Sequence, residues 1–436
     1  MNAAIKIVSL VLSAVMLSSC GSTPAETPSE TAPADETETT SSAAESEKAA
    51  DTEENTGTSE TKAPETEDEF HDAMINRSIL SKGNNYRLKK AVEKLKNNEK
   101  TNICYLGGSI TEGVGGTPAT CWAKLSFDKI CERYGNTESE YFNKGLSGTP
   151  SILGNIRAGR DILDNDPDIV FIEFAVNDGQ DNLHKESYES LVNTILSNSP
   201  DTAVVLVINR LENGYTCQQH MSQIGEYYGL PLISVNDAIT PEFDEGRMTW
   251  QDYSNDGSHP NGYGHSLVSE MVERLFEVTD ESDDSDEPFA LPDIPIFGNG
   301  YVNMTLVTPG NSSADGFELL STGAFTETNA TVSGGFSTAY SNTGTGESMK
   351  LKVTGNSFFV VYKRNKSGDM GSIDVFLNGS KLTTVNASDK DGWGDPYSAQ
   401  IIKFSSVKDM EVEIKMSEGS EEKPFEIVGF AFSQNG

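Results

Sequence analysis

Four short clusters in the sequence contain residues that can act on an ester bond. In the first, Gly107 and Gly108 let the backbone turn sharply and present the hydroxyl of Ser109. In the last, Asp256 stands three residues before His259, where its carboxylate can hydrogen-bond the near ring nitrogen. The far ring nitrogen is then free to take the proton of a serine hydroxyl, which is the arrangement that activates serine as a nucleophile.

The two clusters between them supply hydrogen-bond donors. Gly148 has no side chain, so its N–H can approach a substrate oxygen closely. Asn177, at the abrupt end of an apolar run, can donate its side-chain N–H to the same oxygen. With the N–H of Ser109, these groups are candidates for binding the oxygen anion that develops during acyl transfer. Taken singly, each cluster also fits a glycine-rich turn, a helix cap or a surface loop.

The chain contains five histidines, and His259 is the predicted base. His71, His184 and His220 are set aside because they lack an acid in this relation and in this strand-end context. His265 begins the next predicted helix and is assigned a structural role. No spacing of histidine, cysteine or carboxylate residues predicts a metal site, and no cofactor is expected.

The elements predicted around these clusters place all four at one edge of a sheet. Strand-like runs occur at residues 102–106, 141–143, 168–174, 203–208 and 231–235. Helical patterns occur at residues 85–98, 121–133, 152–163, 185–197, 217–228 and 263–276. The strand runs VFIEF and VVLVI are apolar enough to predict a parallel sheet covered by helices on both faces. We therefore expect a doubly wound (flavodoxin-like) α/β fold with a parallel five-stranded sheet, which binds ligands beyond the carboxyl ends of its strands.

A change of pattern near residue 295 indicates a second folded unit. Short β-rich runs occur at residues 349–353, 358–362, 372–377, 411–415 and 427–432. They predict an all-β sandwich of jelly-roll type over residues 295–436, a candidate carbohydrate-binding unit that follows an acidic linker at residues 279–294. Trp393 lies on a glycine-flanked loop of this unit. It either stacks on a sugar ring or completes the active-site wall, or it packs against its own sandwich.

The N-terminal residues predict export and membrane attachment. Residues 1–19 combine Lys6 with an apolar run too short to span a bilayer, which is typical of a signal peptide. The sequence Leu-Ser-Ser-Cys20 resembles a bacterial lipobox, so Cys20 is the expected lipidation site; an ordinary signal peptide is the alternative. Residues 20–69 predict a disordered acidic Ser/Thr/Pro tether before a catalytic domain at residues 70–278. The expected location is the extracellular face of a bacterial membrane.

The formal net charge of −35 argues against one class of partner. No Lys/Arg cluster with interleaved aromatic residues is present to hold a polyanion, so nucleic acid is not an expected partner. Attraction to anionic lipid headgroups is not expected either, and membrane attachment should come only from the lipid on Cys20. The four later cysteines are interpreted as mostly buried free thiols.

Taken in order, the clusters GGSIT, SGTPS, FAVND and DGSHPN resemble the successive blocks of the SGNH (GDSL-type) hydrolase superfamily. The resemblance covers residues 102–275, and the wording of the blocks is similar to the branch that contains many carbohydrate esterases. The first block reads GGSI rather than GDSL, and the replaced aspartate is not part of the family's catalytic machinery. The resemblance therefore leaves no essential group missing.

This resemblance implies a role for each candidate residue. Ser109 is the nucleophile and His259 is the base, oriented by Asp256. The N–H groups of Ser109 and Gly148 and the side chain of Asn177 form the oxyanion hole. The implied reaction is ester hydrolysis in two steps through an acyl-enzyme.

The expected substrate is an acetylated polysaccharide or oligosaccharide, from which a cell-surface serine esterase removes O-acetyl groups. The sequence shows no long apolar lid segment of the kind a lipase uses on aggregated lipid. The β-rich unit resembles jelly-roll domains found beside carbohydrate esterases. Three alternatives stay open: a lipid or thioester hydrolase, a carbohydrate O-acyltransferase with the same triad, and a non-catalytic surface protein that binds glycan.

Overall fold

The five runs predicted as strands in the first half of the chain form one sheet in the computed structural model, which describes residues 64–342 and 344–435. A further strand, which the sequence pattern did not predict, pairs antiparallel at the edge. The strands are β1 Ile79–Ser81, β2 Asn102–Gly107, β3 Glu140–Gly145, β4 Ile169–Glu173, β5 Ala203–Ile208 and β6 Leu232–Ser234. The predicted doubly wound α/β fold is confirmed, with a mixed sheet in place of a purely parallel one.

The strand order β1-β6-β5-β4-β2-β3 places the carboxyl ends of β2 and β4 where the connections reverse direction. After β2 the chain crosses to β3 at one edge and then returns to β4 on the other side of β2. Gly107, the last residue of β2, is level with both Gly145 and Glu173. The loops after these three strands therefore leave the sheet side by side, in the position where doubly wound sheets bind ligands.

Alternate residues of the strands point to opposite faces of the sheet, as the two-residue period of a strand requires. In β2, Ile103 and Tyr105 belong to one apolar layer, and Cys104 and Leu106 belong to the other. Helices cover both layers: α1 Glu67–Arg77, α2 Tyr86–Lys96, α3 Ser109–Glu112, α4 Trp122–Tyr134, α5 Ser151–Ile156, α6 Ala158–Asp161, α7 Asn182–Asn198, α8 Gln218–Tyr227, α9 Val235–Asp244, α10 Trp250–Tyr253 and α11 Gly262–Glu281. We call these helices and strands the α/β domain.

Several helices of the α/β domain differ from the prediction. The helix predicted at residues 152–163 is divided into α5, α6 and a 3-10 turn at Leu163–Asn165. The division occurs at Arg157, whose buried guanidinium pairs with Asp161 at 2.6 Å. The spacing of apolar residues does not predict that a charged side chain is buried here. Helix α9 was not predicted because it contains Pro241, and proline normally ends a helix.

The ends of the α/β domain also reach further than their composition indicates. Helix α1 includes residues 67–69, which the acidic composition had assigned to the tether. Arg77, at the end of α1, pairs with Glu242 and donates to the carbonyl oxygen of Asp237 at 3.2 Å, contacts that no local pattern reveals. Helix α11 likewise continues to Glu281, inside the predicted linker.

The predicted signal peptide, the lipidation site Cys20 and most of the predicted tether lie outside the described residues. Among the helices that are described, none has the length and apolar character needed to cross a membrane. The other four cysteines, Cys104, Cys121, Cys131 and Cys217, are free thiols, and all but Cys131 are buried, as their interpretation required.

The described part of the second half forms a sheet of nine strands, all paired antiparallel. They are β7 Thr305–Val307, β8 Phe317–Ser321, β9 Phe325–Asn329, β10 Thr338–Asn342, β11 Met349–Asn365, β12 Ser372–Leu377, β13 Ser380–Asn386, β14 Trp393–Met416 and β15 Glu426–Ser433. The predicted all-β sandwich is confirmed, and we call it the sandwich domain. The runs predicted at residues 349–353 and 358–362 belong to one strand, β11. They look like two strands in the sequence because register shifts after Gly355 and Phe358 interrupt the alternating pattern.

A buried apolar cluster joins the two domains. From the α/β domain it contains Leu146, in the loop after β3, and Ile152, Leu153 and Ile156 of α5. From the sandwich domain and the segment before β7 it contains Tyr301, Met304, Phe336, Ala339, Phe359, Val361, Val428 and Ala431. The loop after β3 is therefore held against the sandwich domain by shared burial.

Candidate active site

Ser109, His259 and Asp256 meet beyond the carboxyl end of β2. Ser109 is the first residue of α3, directly after the two glycines that end the strand. Its Oγ lies 2.9 Å from Nε2 of His259, and Nδ1 of His259 lies 2.8 Å from Oδ2 of Asp256. With the proton of the imidazole on Nδ1, Nε2 can accept the proton of the Ser109 hydroxyl. The structure thus brings together the three residues that the spacing selected.

The Asp256 carboxylate is held by more than the histidine ring. Its Oδ1 accepts the backbone N–H groups of Ser258 and His259, both at 2.7 Å. Burial raises the pKa of this carboxyl, but the hydrogen bonds from the ring and from the two N–H groups outweigh burial and hold the pKa below its ordinary value. Asp256 is therefore ionised at neutral pH and can orient the imidazole.

Ser254, which the sequence did not single out, ties the turn that carries Asp256 and His259. Its Oγ lies 2.7 Å from the carbonyl oxygen of Asp256 and 2.6 Å from that of His259. It also accepts the N–H of Asp256 at 3.2 Å. The indole of Trp250 donates to the same Asp256 carbonyl at 2.5 Å. The sequence did contain a signal for this role, because a serine two residues before an aspartate can hydrogen-bond forward along a turn.

The three predicted oxyanion donors come from three loops. No acceptor for the N–H of Ser109 or of Gly148, or for Nδ2 of Asn177, occurs among the residues that the structure describes. The amide of Asn177 rests on Gly108, where any Cβ would overlap it, so the second glycine of the first cluster makes room for this side chain. These three groups therefore stay the predicted oxyanion donors.

Gly148 is in the left-handed region, with φ +68°, which glycine adopts without strain. The indole ring of Trp393 lies directly on its Cα, and a Cβ at this position would overlap the ring. Trp393 is 53 % exposed, so much of its ring faces solvent beside the ester site and is not buried in the sandwich domain. Trp393 thus contacts Gly148 of the α/β domain and also Arg364 of its own domain, whose guanidinium carbon lies 5.8 Å from the centre of the ring.

Two buried acids lie behind the site. Thr111, in the same short helix as Ser109, donates to Oε2 of Glu173 at 3.0 Å. Burial raises the pKa of Glu173 to about 7 and that of Asp178 also to about 7. Asp178 accepts the N–H of Ser151 at 2.7 Å. The sequence signal for Glu173 was a carboxylate inside an otherwise apolar strand.

The sequence argument was wrong in one respect for His71, which Asp68 precedes by three residues, and likewise for His184. Asp181 lies three residues before it, and its Oδ2 is 2.8 Å from Nδ1 of His184, the same relation as in the predicted pair. The difference is position, because Asp181 caps the N-terminus of α7 and no serine hydroxyl faces this ring within the described ranges. His265 bonds Trp122 N–H through Nδ1 and the carbonyl oxygen of Val114 through Nε2, consistent with a structural role.

Comparisons with known proteins cover both domains. Residues 105–267 match the model of the GDSL-like lipase/acylhydrolase family. The structure is similar to that of a two-domain esterase (CEX) active on acetylated mannans, with a TM-score of 0.73 and 25% sequence identity over 83% of this chain and 99% of that chain. A structure of such an esterase co-crystallized with mannopentaose gives a TM-score of 0.72 and 26% identity over 83% of this chain and 98% of that chain. No curated protein sequence matches the chain.

Proposed function

The chain contains a GDSL-like lipase/acylhydrolase domain at residues 105–267 and is a carboxylic ester hydrolase, and we propose that it removes acetyl groups from carbohydrate. The observation that carries this proposal is the half-exposed ring of Trp393, which stands beside Gly148 at the mouth of the ester site. A flat indole face suits a sugar ring, which has both apolar and polar edges. The similarity in both domains to an esterase active on acetylated mannans supports the same substrate class, and mannose-based glycans in particular.

In the proposed reaction, Nε2 of His259 takes the proton of Ser109 as the serine oxygen attacks the acetyl carbonyl carbon. The resulting oxygen anion is bound by the N–H groups of Ser109 and Gly148 and by the amide of Asn177. When this intermediate collapses, the ester C–O bond breaks and His259 gives its proton to the departing sugar oxygen. The acetyl group stays on Ser109.

The second half of the reaction uses the same groups in reverse. His259 takes a proton from water, and the water oxygen attacks the acetyl carbon of the acyl-enzyme. The oxygen anion forms again in the same place, and acetate leaves when Ser109 recovers its proton from His259. Asp256 stays ionised throughout and stabilises the imidazolium that forms at each attack.

The test is a panel of acetylated mannan, xylan and pectin with an aryl acetate and a long-chain aryl ester, assayed by acetate or acid release. We expect wild type to release acetate from a carbohydrate ester without an added acceptor, and Ser109→Ala to release none. Faster hydrolysis of long-chain than of acetyl esters would point to a lipid hydrolase instead. Acetylation of an added sugar acceptor, in place of acetate release, would indicate a transferase.

We further propose that the enzyme acts at the outer surface of a bacterial cell, held by a lipid on Cys20 and the acidic residues that follow. The support is the lipobox-like sequence before Cys20 and the composition of residues 20–69. Substituting Cys20→Ser in the full chain should move the esterase activity from the membrane fraction to the soluble fraction. Equal membrane association of both proteins would contradict the lipid anchor.

A further inference from the structure

Arg364, near the end of β11 in the sandwich domain, reaches into the site of the α/β domain. Its Nη2 donates to the carbonyl oxygen of Gly148 at 3.5 Å, across 216 residues of chain. In the described part of the chain, this is the only hydrogen bond in which either backbone polar group of Gly148 takes part. The glycine whose N–H is predicted to bind the oxygen anion is thus held by a residue from the other domain.

The guanidinium of Arg364 has little freedom to point elsewhere. Its Nε donates to Oδ2 of Asp395 at 2.8 Å, and its Nη1 donates to Oδ2 of Asp389 at 3.1 Å. The ring of Tyr397 lies 4.1 Å from the guanidinium carbon. Arg364 and Asp395 are only 7 % and 2 % exposed. Because a guanidinium is a rigid planar fork, fixing two of its nitrogens directs the third at Gly148.

Among the described residues, the loop of Gly148 holds the residues on both sides of it but makes no hydrogen bond to Gly148 itself, and the N–H of Ser147 donates to Glu112 at 2.8 Å. The loop is anchored before and after it, where Leu146 N–H donates to the Gly107 carbonyl at 3.0 Å and the Thr149 hydroxyl donates back to Leu146 at 2.7 Å. Between these anchors a glycine has wide freedom in φ and ψ. Trp393 limits Gly148 on one side and Arg364 binds its carbonyl, so both restraints come from the sandwich domain.

We propose that Arg364 is a positioning residue of the ester hydrolase, which fixes Gly148 so that its N–H completes the oxyanion hole. The inference rests on the proposed function only in assigning the Gly148 N–H to the oxygen anion. Such donors act when they lie about 2.7–3.1 Å from the developing anion, and a misplacement of about 1 Å can lower the rate about 10²-fold. The sandwich domain is then part of the catalytic apparatus for any ester, including one that carries no sugar.

The experiment measures kcat and KM on an aryl acetate for Arg364→Lys and for Arg364→Met combined with Asp395→Asn. The double variant removes the guanidinium without leaving the buried Asp395 charge unpaired, and the lysine variant keeps a cation but loses the fork. We expect kcat to fall about 10- to 100-fold with KM nearly unchanged, since the lost interaction acts in the transition state. The rate of inactivation by an aryl phosphonate, which also needs the oxyanion donors, should fall in parallel.

Lys403→Met is the matched control. Lys403 pairs with Glu186 across the same two domains, with no contact to Gly148 among the described residues. It should keep the kcat of wild type, while melting temperatures show that all three variants are folded. An equal loss of kcat in Lys403→Met would show that Arg364 acts only by holding the two domains together.

Two other results would overturn the proposal. Unchanged kcat on the aryl acetate in both Arg364 variants would show that Gly148 needs no such restraint. A loss seen only on acetylated mannan would show that Arg364 touches the sugar instead. Failure of the carbohydrate esterase proposal is separate, because it would appear in wild type as absent acetate release from every glycan of the panel.

Discussion

Asn177 offers the most direct test of the oxyanion hole at the level of a single residue. Its amide rests on Gly108, and within the described ranges its buried Oδ1 has no hydrogen-bond partner, so the fold positions this side chain without using the oxygen. Asn177→Ala should lower kcat about 10²–10³-fold with little change in melting temperature. Asn177→Asp, which places a negative charge beside the developing anion, should lose more. Turnover of Asn177→Ala within a few-fold of wild type would remove the residue from the mechanism.

Glu173 links the stability of the protein to pH. Burial raises the pKa of Glu173 to about 7, whereas an unfolded glutamate titrates near 4. Because the pKa is higher in the folded state, the protonated carboxyl contributes stability that is fully present below about pH 4. That contribution is lost as the pH rises through about 7. Asp178, with its pKa also raised by burial, acts in the same direction.

Glu173→Gln should therefore be more stable than wild type in alkali and little different in acid. Glutamine keeps an oxygen for the Thr111 hydroxyl and has no charge to bury. At about pH 9 we expect the free energy of unfolding to rise by on the order of 3 kcal/mol, and at about pH 4 we expect almost no change. Urea unfolding of both proteins at several pH values measures the difference. A difference in the free energy of unfolding between the two proteins that did not change with pH would contradict the raised pKa of Glu173.

The residues of the site divide by how their signal appears in the sequence. Ser109, His259 and Asp256 were selected because their types and spacing are local and their chemistry restricts the choice. Arg364 was not selected, since its importance lies in a contact that only the folded chain creates, whereas Ser254 had a local signal that the prediction did not use. The sequence around Arg364 contains no pattern that predicts its hydrogen bond to a carbonyl group 216 residues away.

Among the elements, the turn between α10 and α11 carries the proposed base His259 and its partner Asp256, and Ser254 bonds this turn. The hydroxyl of Ser254 lies within 2.7 Å of the carbonyl oxygens of both Asp256 and His259. Ser254→Ala should loosen the turn and lower kcat about 10-fold, because small displacements of a catalytic group are costly. Asn255→Ala is the control, since this exposed side chain in the same turn has no hydrogen bond within the described ranges. Equal rates for both variants would show that the turn holds its shape without the hydroxyl.

Elements with strong local patterns were predicted well, and those fixed by distant contacts were not. Strand β5 was predicted with its observed ends, because six consecutive buried apolar residues leave little choice. Strand β1 has three residues, too few for any periodicity, and exists because it pairs with β6. Helix α9 carries a proline that favours a break, yet Ser234 caps its start and its apolar face is buried. Tertiary contacts override propensity in both cases.

At the scale of the whole molecule, the two domains share the site as well as a core. Leu146 belongs to the buried cluster between the domains and lies two residues before Gly148. The same loop therefore docks the sandwich domain and carries Gly148, the proposed oxyanion donor. Arg364 and Trp393 of the sandwich domain contact the same loop at Gly148. Docking and catalysis are coupled through a few residues, which is a reason to regard the two domains as one enzyme.

A chain that ends after residue 294, without the sandwich domain, should fail as an esterase even on a substrate with no sugar. Removing the sandwich uncovers Leu146, Ile152, Leu153 and Ile156, which are at most 2 % exposed in the full structure, and contiguous apolar surface of this kind favours aggregation. It also removes both restraints on Gly148. We expect low solubility and an aryl acetate kcat reduced about 10-fold or more in any soluble fraction. Calorimetry of the full chain should show a single transition, since both domains unfold with the shared core. A truncated protein that stayed monomeric with the kcat of the full chain would contradict the coupling, and two separate transitions would contradict the shared core.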